Sequence, residues 1–335
     1  MGILIRYRNK IVALSGENTL IFSKLYFPSP RIFGVRMKLK SDFFGDWIES
    51  LKDVLIVEWG CDISLVPDSE IPLLYFNTKS KRPVRKARKL VLSDVFISMQ
   101  QLMVCTQELK DGWELLRKRI ESGEDLTMNL SKRAYKPKNK DGMLNEWGVH
   151  HFHLNERKGG GFIHGTKELL FAWLVDDVFY AIGVFDHDSW VDEDIIEIMS
   201  RNWPNELAKY KVQGNVSPTH LTEQQRKALR QAGVNTMVTT KNGGSYFAIG
   251  GGLAGSGFNM QAVKSINSQK TMLKNLEIQV AEQLEHLQGV LEERGYKEGM
   301  KVEASLNIRG DDYIVTFPKY MFSIVFSETN TLYHQ

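Results

Sequence analysis

Residues 168–186 read ELLFAWLVDDVFYAIGVFD, and this stretch decides the core of the fold. Two almost uninterrupted apolar runs, residues 169–175 and 178–185, are separated only by Asp176 and Asp177. Apolar runs of this length, bounded by turn-forming residues, are typical of strands that are buried on both faces. The stretch therefore predicts a β-hairpin in the middle of a sheet.

The hairpin is flanked by one more predicted strand and by a predicted helix. Residues 147–154, WGVHHFHL, follow a basic linker and predict the strand. After the hairpin, Asp192 can accept hydrogen bonds from the first-turn amides of a helix that ends before Trp203 and Pro204. These elements predict a compact unit centred on the hairpin.

The region before this unit mixes strand and helix patterns. Residues 2–40 and 54–76 are rich in β-branched and aromatic side chains, which predicts strands. Ser41 is predicted to be the N-cap of a short helix between them. Residues 93–121 carry apolar side chains at helical spacing, and Gly112 is predicted to break that pattern, which gives a helical hairpin or one kinked helix.

The C-terminal region has the clearest local signals. Thr222 and Gln225 form a capping box at the start of a helix, and Asn242-Gly243 is a hairpin turn. A long helix is predicted over residues 259–294, where one apolar seam consists of Leu273, Leu276, Val280, Leu284, Leu287 and Leu291. Such a seam forms either part of a core or a dimer face.

Together these elements predict an α+β protein. It has a central antiparallel or mixed β-sheet unit flanked by helices, and a C-terminal α/β module with a long helix. Three domains are expected: residues 1–125, a β-rich region with a basic segment and a helical hairpin; residues 126–214, a histidine-bearing β-sheet domain; and residues 215–335, the C-terminal module.

The composition excludes several classes of protein. The 335 residues are 42% hydrophobic and 25% charged with a net charge of +3, which excludes disordered and collagen-like chains. Cys61 and Cys105 provide neither a disulfide framework nor a cysteine-based zinc site, so a cytoplasmic location is expected. No run of 18 or more apolar residues occurs, and charges lie close to the N-terminus, which predicts neither a membrane span nor a signal peptide.

Histidine is the most unevenly distributed residue type. Five of the eight histidines lie within 38 residues, on or beside the predicted strands. On a strand, His151 and His153 point to one face and His150 to the other. If the end of the hairpin approaches this strand, several imidazoles and carboxylates converge, and we expect the candidate catalytic residues to be His151, His153, His187, Asp186 and Asp188.

Two kinds of chemistry suit such a cluster. Without a metal, imidazoles can act as acid and base in RNA cleavage, in which the 2′-hydroxyl loses a proton and the leaving oxygen gains one. Alternatively, His151, His153 and His187 can bind a zinc or manganese ion that activates water. The spacing does not separate these chemistries from a third interpretation, in which the histidines pack at a strand edge.

The order of elements over residues 126–204 resembles the core sheet of RelE/HigB-type toxin ribonucleases. A basic approach precedes the HHFHL strand, and the LLFAWLV and VFYAIGVFDH strands follow. The resemblance implies a catalytic role for His153 and His187, and phosphate contacts from Lys136, Lys138, Arg157 and Lys158. The chain departs from the family where residues 168–171, ELLF, replace an arginine-rich strand, and in its much greater length.

Two basic stretches are candidates for binding a nucleic-acid backbone. The candidate phosphate contacts are Lys79, Lys81, Arg82, Arg85, Lys86, Arg88 and Lys89 in the first stretch, residues 79–89, and Lys132, Arg133, Lys136 and Lys138 in the second, residues 132–140. Tyr135 is the only ring within either stretch, which gives weak support to base stacking. Residues 250–255 match GxGxxG, but they follow a predicted antiparallel hairpin, which does not suit a dinucleotide site.

These patterns favour a nuclease-like effector of the toxin or phage-defence type, cleaving RNA rather than DNA without a metal cofactor. One alternative is a non-enzymatic protein that binds nucleic acid or another protein and dimerises through residues 273–291. The other is a metal-dependent hydrolase or nuclease that uses the histidine and aspartate cluster.

Overall fold

A computed structural model describes residues 4–7, 10–13, 19–21, 37–102, 107–154, 168–186, 189–214, 221–310 and 312–327. The described residues belong to two compact units. Unit 1 takes residues 1–58, 65–71 and 267–335, and unit 2 takes residues 59–64 and 72–266. The units do not follow the three predicted ranges, because early strands pair with strands near the end of the chain.

The elements confirm the α+β class. The α-helices are α1 (Phe43–Asp53), α2 (Ile71–Lys81), α3 (Asp94–Leu102), α4 (Gln107–Ser122), α5 (Gly142–Trp147), α6 (Asp194–Asn202), α7 (Pro204–Leu207), α8 (Glu223–Gln231), α9 (Met260–Gln283) and α10 (Gln288–Glu293). The strands are β1 (Leu4–Tyr7), β2 (Lys10–Ala13), β3 (Thr19–Ile21), β4 (Lys38–Lys40), β5 (Lys89–Leu92), β6 (Val149–His153), β7 (Glu168–Val175), β8 (Val178–Asp186), β9 (Val238–Thr239), β10 (Ser245–Tyr246), β11 (Lys301–Glu303), β12 (Ser305–Arg309), β13 (Asp312–Phe317) and β14 (Phe322–Ser327).

The predicted hairpin lies at the centre of the main sheet of unit 2. The strand order is β5-β8-β7-β6, with β7 antiparallel to both β6 and β8, and β5 parallel to β8. Asp176 adopts a positive φ of 48° in the tight turn between β7 and β8. The two apolar runs are buried because both faces of this sheet are covered.

Alternate residues of each strand pack into two separate cores. Val149, Leu169 and Phe171 belong to the core on one face, which α6 and Trp147 of α5 complete. Residues of the opposite parity, such as Phe152, belong to the core on the other face, which α4 completes. His151 and His153 share the parity of Val149, so the prediction that they share one face is confirmed.

Unit 1 is built on a second sheet, with strand order β12-β13-β14-β3. Strand β12 pairs antiparallel with β13. Helix α1 is fixed to this sheet because the Asp46 carboxylate accepts a hydrogen bond from the Leu306 amide (2.7 Å). The N-cap of α1 is Asp42, whose side chain binds the Gly45 amide (2.8 Å), and not Ser41 as predicted.

The prediction of strands over residues 54–76 is wrong. Residues Val54–Glu58 continue α1 as a π-helical turn, and α2 begins at Ile71. Val54 donates to the carbonyls of Ser50 and Leu51, which carries the helical hydrogen bonding onward and buries Leu55. Tertiary packing thus overrides the strand preference of the β-branched side chains.

Gly112 does not break the helical pattern as predicted, but lies inside α4. A Cβ atom at this position would be 1.4 Å from the carbonyl oxygen of Leu154. Glycine is therefore required because the helix and the chain after β6 approach each other by their backbones.

The long C-terminal helix is shorter than predicted. Helix α9 ends at Gln283, and a 3-10 turn over Leu284–Leu287 leads into α10. All six residues of the predicted seam are buried in the folded single chain. The seam is therefore part of a core, and the prediction of a dimer face over residues 273–291 is not supported. Within the part of the chain that the structure describes, no helix is long and apolar enough to cross a membrane.

Candidate nucleic-acid interface

Helix α2 joins the two basic stretches into one surface of unit 2. Asn77, fully buried on α2, donates hydrogen bonds to the carbonyls of Pro137 (2.7 Å) and Asn139 (3.0 Å). One turn later, the Lys81 ammonium donates to the carbonyls of Lys136 (2.8 Å) and Asn139 (3.0 Å). Residues 132–140, which come much later in the sequence, are therefore fixed against the end of α2.

Exposed cations gather around this contact. The basic face, as we name it, consists of the exposed side chains of Lys79, Lys132, Arg133, Lys136 and Lys138. Two cations of the first stretch instead have acidic partners: Arg85 pairs with Asp125 (2.8 Å), and Lys86 pairs with Asp177 (2.6 Å). Lys89, the first residue of β5, is also exposed.

Two other predicted phosphate contacts are buried and serve the fold. Burial lowers the pKa of Lys81 to about 8, although Asp141 opposes this shift. Arg88 donates to the carbonyls of Val84 (2.8 Å) and Lys86 (3.3 Å), and burial lowers its pKa. These two cations hold the backbone of the basic stretches and do not lie on the surface that a phosphate would reach.

Aromatic rings stack beside the basic face. The Arg82 guanidinium carbon lies 5.2 Å from the Trp59 ring centre and 5.0 Å from that of Tyr135. Trp59 in turn stacks on Tyr75, with centroids 5.1 Å apart and an interplanar angle of 12°. The Lys79 ammonium lies over Tyr75 at 5.9 Å. We name this row of two cations and three rings the aromatic stack.

Sequence reasoning missed Trp59 and Tyr75, because neither lies within a basic stretch. The segment that carries Trp59 is fixed to the second stretch by Cys61, whose thiol contacts the carbonyl of Tyr135 at 3.5 Å. A signal is present in the spacing of Tyr75 and Lys79, which places both on one side of a helix. The incorrect prediction of a strand up to residue 76 conceals this signal.

His151 lies next to a carboxylate at the end of the second basic stretch. Its Nδ1 atom is 3.8 Å from Oδ2 of Asp141, and the Trp190 ring packs edge-on at 4.5 Å. Asp141 is also the N-cap of α5, because its Oδ1 accepts a hydrogen bond from the Leu144 amide (3.0 Å). The His151 side chain keeps 14% of its surface exposed.

The other two histidines of β6 are less suited to proton transfer. His153 is 6% exposed, and its backbone carbonyl accepts a hydrogen bond from Asn129 (3.0 Å). Burial lowers the pKa of His150 to about 4, against the opposing charge of Asp141, so this ring is neutral at pH 7. Of the three histidines of β6, His151 therefore has the most suitable surroundings for proton transfer.

The structure does not bring Asp186 to these histidines. His153, Leu169 and Phe185 lie side by side across β6, β7 and β8, so His153 is about 10 Å, two strand spacings, from β8. Phe185 packs on the face of His153, and strand alternation places Asp186 on the other face. The Asp186 carboxylate accepts a hydrogen bond from the Ser189 hydroxyl (3.2 Å).

Several predicted site residues lie outside the described residues: His187, Asp188, Arg157 and Lys158. The predicted metal set includes His187, so its geometry is not described. Over the described ranges, no three histidine, cysteine, aspartate or glutamate side chains are grouped as metal ligands.

A second charged cluster of unit 2 is buried except for Glu193, whose side chain is 34% exposed. Glu146 binds Arg230 (Oε2 to Nε, 2.7 Å) and accepts hydrogen bonds from the amide and hydroxyl of Thr236 (3.0 and 2.6 Å). Arg226 pairs with Glu193 and donates to the Thr236 hydroxyl (2.5 Å). Burial lowers the pKa of Arg230, although Glu146 opposes this. We name these four ionic side chains and Thr236 the buried network.

The glycine-rich loop does not offer its amides to a phosphate. The amide of Gly250 donates to the Glu146 carbonyl (2.9 Å), that of Gly251 to Ala248 (2.8 Å), and that of Gly252 to Asn145 (2.9 Å). The β9–β10 hairpin before the loop is antiparallel, as predicted. Both observations agree with the sequence argument against a dinucleotide site.

The chain matches no family model, no curated protein and no solved structure. The resemblance of residues 126–204 to RelE/HigB-type toxins therefore stays a prediction, and a function has to be inferred from the geometry of unit 2.

Proposed function

We propose that unit 2 binds nucleic acid, and RNA in preference to DNA, through the basic face. The observation that carries this proposal is the anchoring of residues 132–140 onto α2 by Asn77 and Lys81. This contact places five exposed cations in one region, whereas the sequence has them in two stretches. Exposed lysine and arginine side chains attract a phosphate backbone by releasing its counterions.

Binding is tested with the full-length protein and fluorescently labelled RNA and DNA oligonucleotides of about 20 nucleotides. We expect fluorescence anisotropy to show saturable binding whose affinity falls steeply with salt, because several phosphates are neutralised. Tighter binding of RNA is expected. Absence of binding to both oligonucleotides at low salt contradicts the proposal, and equal binding contradicts the preference.

Cleavage of the bound RNA is a second candidate function, favoured by Asp141, which directly follows the second basic stretch and lies 3.8 Å from His151. In this reaction the His151 imidazole takes the 2′-hydroxyl proton, the 2′-oxygen attacks the adjacent phosphorus, and the 5′-oxygen leaves with a proton from water or a lysine. The Asp141 carboxylate stabilises the imidazolium that forms.

Cleavage is tested by incubating labelled RNA and DNA with the wild type and with His151→Asn, in EDTA and in added manganese. RNA cleavage that persists in EDTA and disappears in His151→Asn supports the metal-free reaction. Dependence on manganese favours the metal-dependent alternative. Binding without any cleavage leaves the non-enzymatic alternative.

A further inference from the structure

We propose that the aromatic stack binds unpaired nucleobases, so that the ligand of the basic face is single-stranded. This inference rests on the proposed nucleic-acid binding and adds the class of ligand. The stack consists of Lys79, Tyr75, Trp59, Arg82 and Tyr135, in that order. The last four members are partly exposed, and Lys79 is exposed at one end.

The rings are held in place before a ligand arrives. Tyr75 is on α2, whose position is fixed by buried Asn77 and Lys81. Tyr135 ends a 3-10 turn, and its carbonyl contacts the Cys61 thiol close to Trp59. A preorganised ring loses little conformational freedom when a base stacks on it.

A base has a position to occupy at the Lys79 end of the stack. An exposed cation–π contact is weaker than the stacking of a base on an aromatic ring, so a base can replace the Lys79 ammonium over Tyr75. The lysine stem is long enough for the ammonium to bind the neighbouring phosphate instead. Exposed Lys136 and Lys138 lie on the segment anchored to the same helix and extend the path of the backbone.

This arrangement favours single strands over duplexes. Bases within a duplex are stacked on one another and present only their edges, whereas unpaired bases present a face to a ring. A duplex gains only the contacts of its phosphates with the basic face. We therefore expect the protein to bind a single strand about 10-fold more tightly than a duplex of equal length.

The test compares three ligands for the full-length protein: a 12-nucleotide oligouridine, a 12-base-pair RNA duplex, and a 12-nucleotide strand with abasic residues at every second position. The protein variants are Tyr75→Leu, which removes the ring, and Tyr75→Phe, which keeps it. We expect Tyr75→Leu to weaken oligouridine binding about 10-fold and to leave duplex binding unchanged, while Tyr75→Phe binds as the wild type does. A thymidine 12-mer shows whether DNA single strands are bound as well.

The abasic strand keeps the phosphates and requires no protein variant, so it decides the question even if Tyr75→Leu fails to fold. Weaker binding of the abasic strand than of oligouridine supports the inference. Equal binding of all three ligands by the wild type overturns it and leaves nucleic-acid binding intact. No binding of any ligand overturns the proposed function itself.

Discussion

Unit 2 contains two regions rich in cationic side chains, and their charges are compensated in opposite ways. In the buried network, Arg226 and Arg230 each have a glutamate partner, and the arginine side chains are 1% and 8% exposed. On the basic face, Lys136 and Lys138 are exposed and no carboxylate of the described residues forms an ion pair with either.

The comparison shows that charge at a position says little about its role until burial and partners are known. A buried cation without partners costs several kcal/mol, so the same chain must supply an anion or hydrogen-bond acceptors if the fold is to be stable. An exposed cation is hydrated and needs no partner, so it can bind an external phosphate at small cost to stability. The same residue types therefore support the fold in one region and ligand binding in the other.

The largest expected effect comes from removing the anion of the buried network. Glu146→Gln leaves the Arg230 guanidinium buried without a counter-charge, and we expect the free energy of unfolding to fall by about 3–5 kcal/mol. Urea denaturation of the wild type and the variant measures this difference.

The matched control removes both charges. Glu146→Leu combined with Arg230→Met replaces the ion pair by apolar side chains of similar size, and should recover most of the stability. If the single and double variants are equally destabilised, the ion pair is not the reason for the destabilisation. Glu146 then acts mainly through its hydrogen bonds to Thr236.

Lys81 combines features of both regions, since it is a buried cation that shapes an exposed surface. Lys81→Met removes the hydrogen bonds to the carbonyls of Lys136 and Asn139, and we expect the free energy of unfolding to fall by about 1–3 kcal/mol. Nucleic-acid binding should weaken in the same variant, because residues 132–140 are no longer held against α2.

The pH dependence of unfolding separates burial of the Lys81 charge from removal of its hydrogen bonds. Its pKa is about 8 in the folded chain and 10.5 in its unperturbed state. Below pH 8 both states hold the proton, and between pH 8 and 10.5 only the unfolded state does. In this range the unfolded state binds more protons than the folded state, so the free energy of unfolding should rise with pH. The rise reflects the loss of the buried Lys81 charge, which penalises folding at lower pH. Denaturation curves at about pH 7.5, 9 and 10.5 should show this rise in the wild type and not in Lys81→Met, and parallel profiles would contradict it.

Local sequence signals predicted the fold well where the pattern and the packing agree. The apolar runs of β7 and β8 and the capping box of Thr222 and Gln225 have the structure expected from their residues. Residues 54–58 do not, because VLIVE has strand propensity but follows directly from α1 and continues it. Burial of Leu55 in the continued helix outweighs the strand preference of the β-branched side chains.

The site was predictable in its composition but not in its assembly. The exposed lysines could be named from the sequence, since they lie in two short basic runs. The contact of Trp59 with Arg82, and of Arg82 with Tyr135, joins residues as many as 76 positions apart, and no spacing rule connects them. Nor could the sequence show that Lys81 and Arg88 are buried while Lys79 and Lys89 are exposed.

The smallest expected effect on stability, and the most direct test of the comparison, comes from the basic face itself. Lys136→Ala combined with Lys138→Ala removes two exposed charges and should change the free energy of unfolding by less than about 0.5 kcal/mol. Lys227→Ala, on the exposed side of α8, serves as the control for removal of an unrelated surface charge.

Binding should respond to the Lys136 and Lys138 changes although stability does not. The slope of log affinity against log salt for a single strand should become shallower by about 0.7 for each phosphate that the protein no longer neutralises, so by about 1.4 in the double variant. The slope for Lys227→Ala should equal that of the wild type. An unchanged slope in the double variant would mean that these exposed cations are merely hydrated. The basic face would then differ from the buried network in its exposure alone, and its cations would have no binding function.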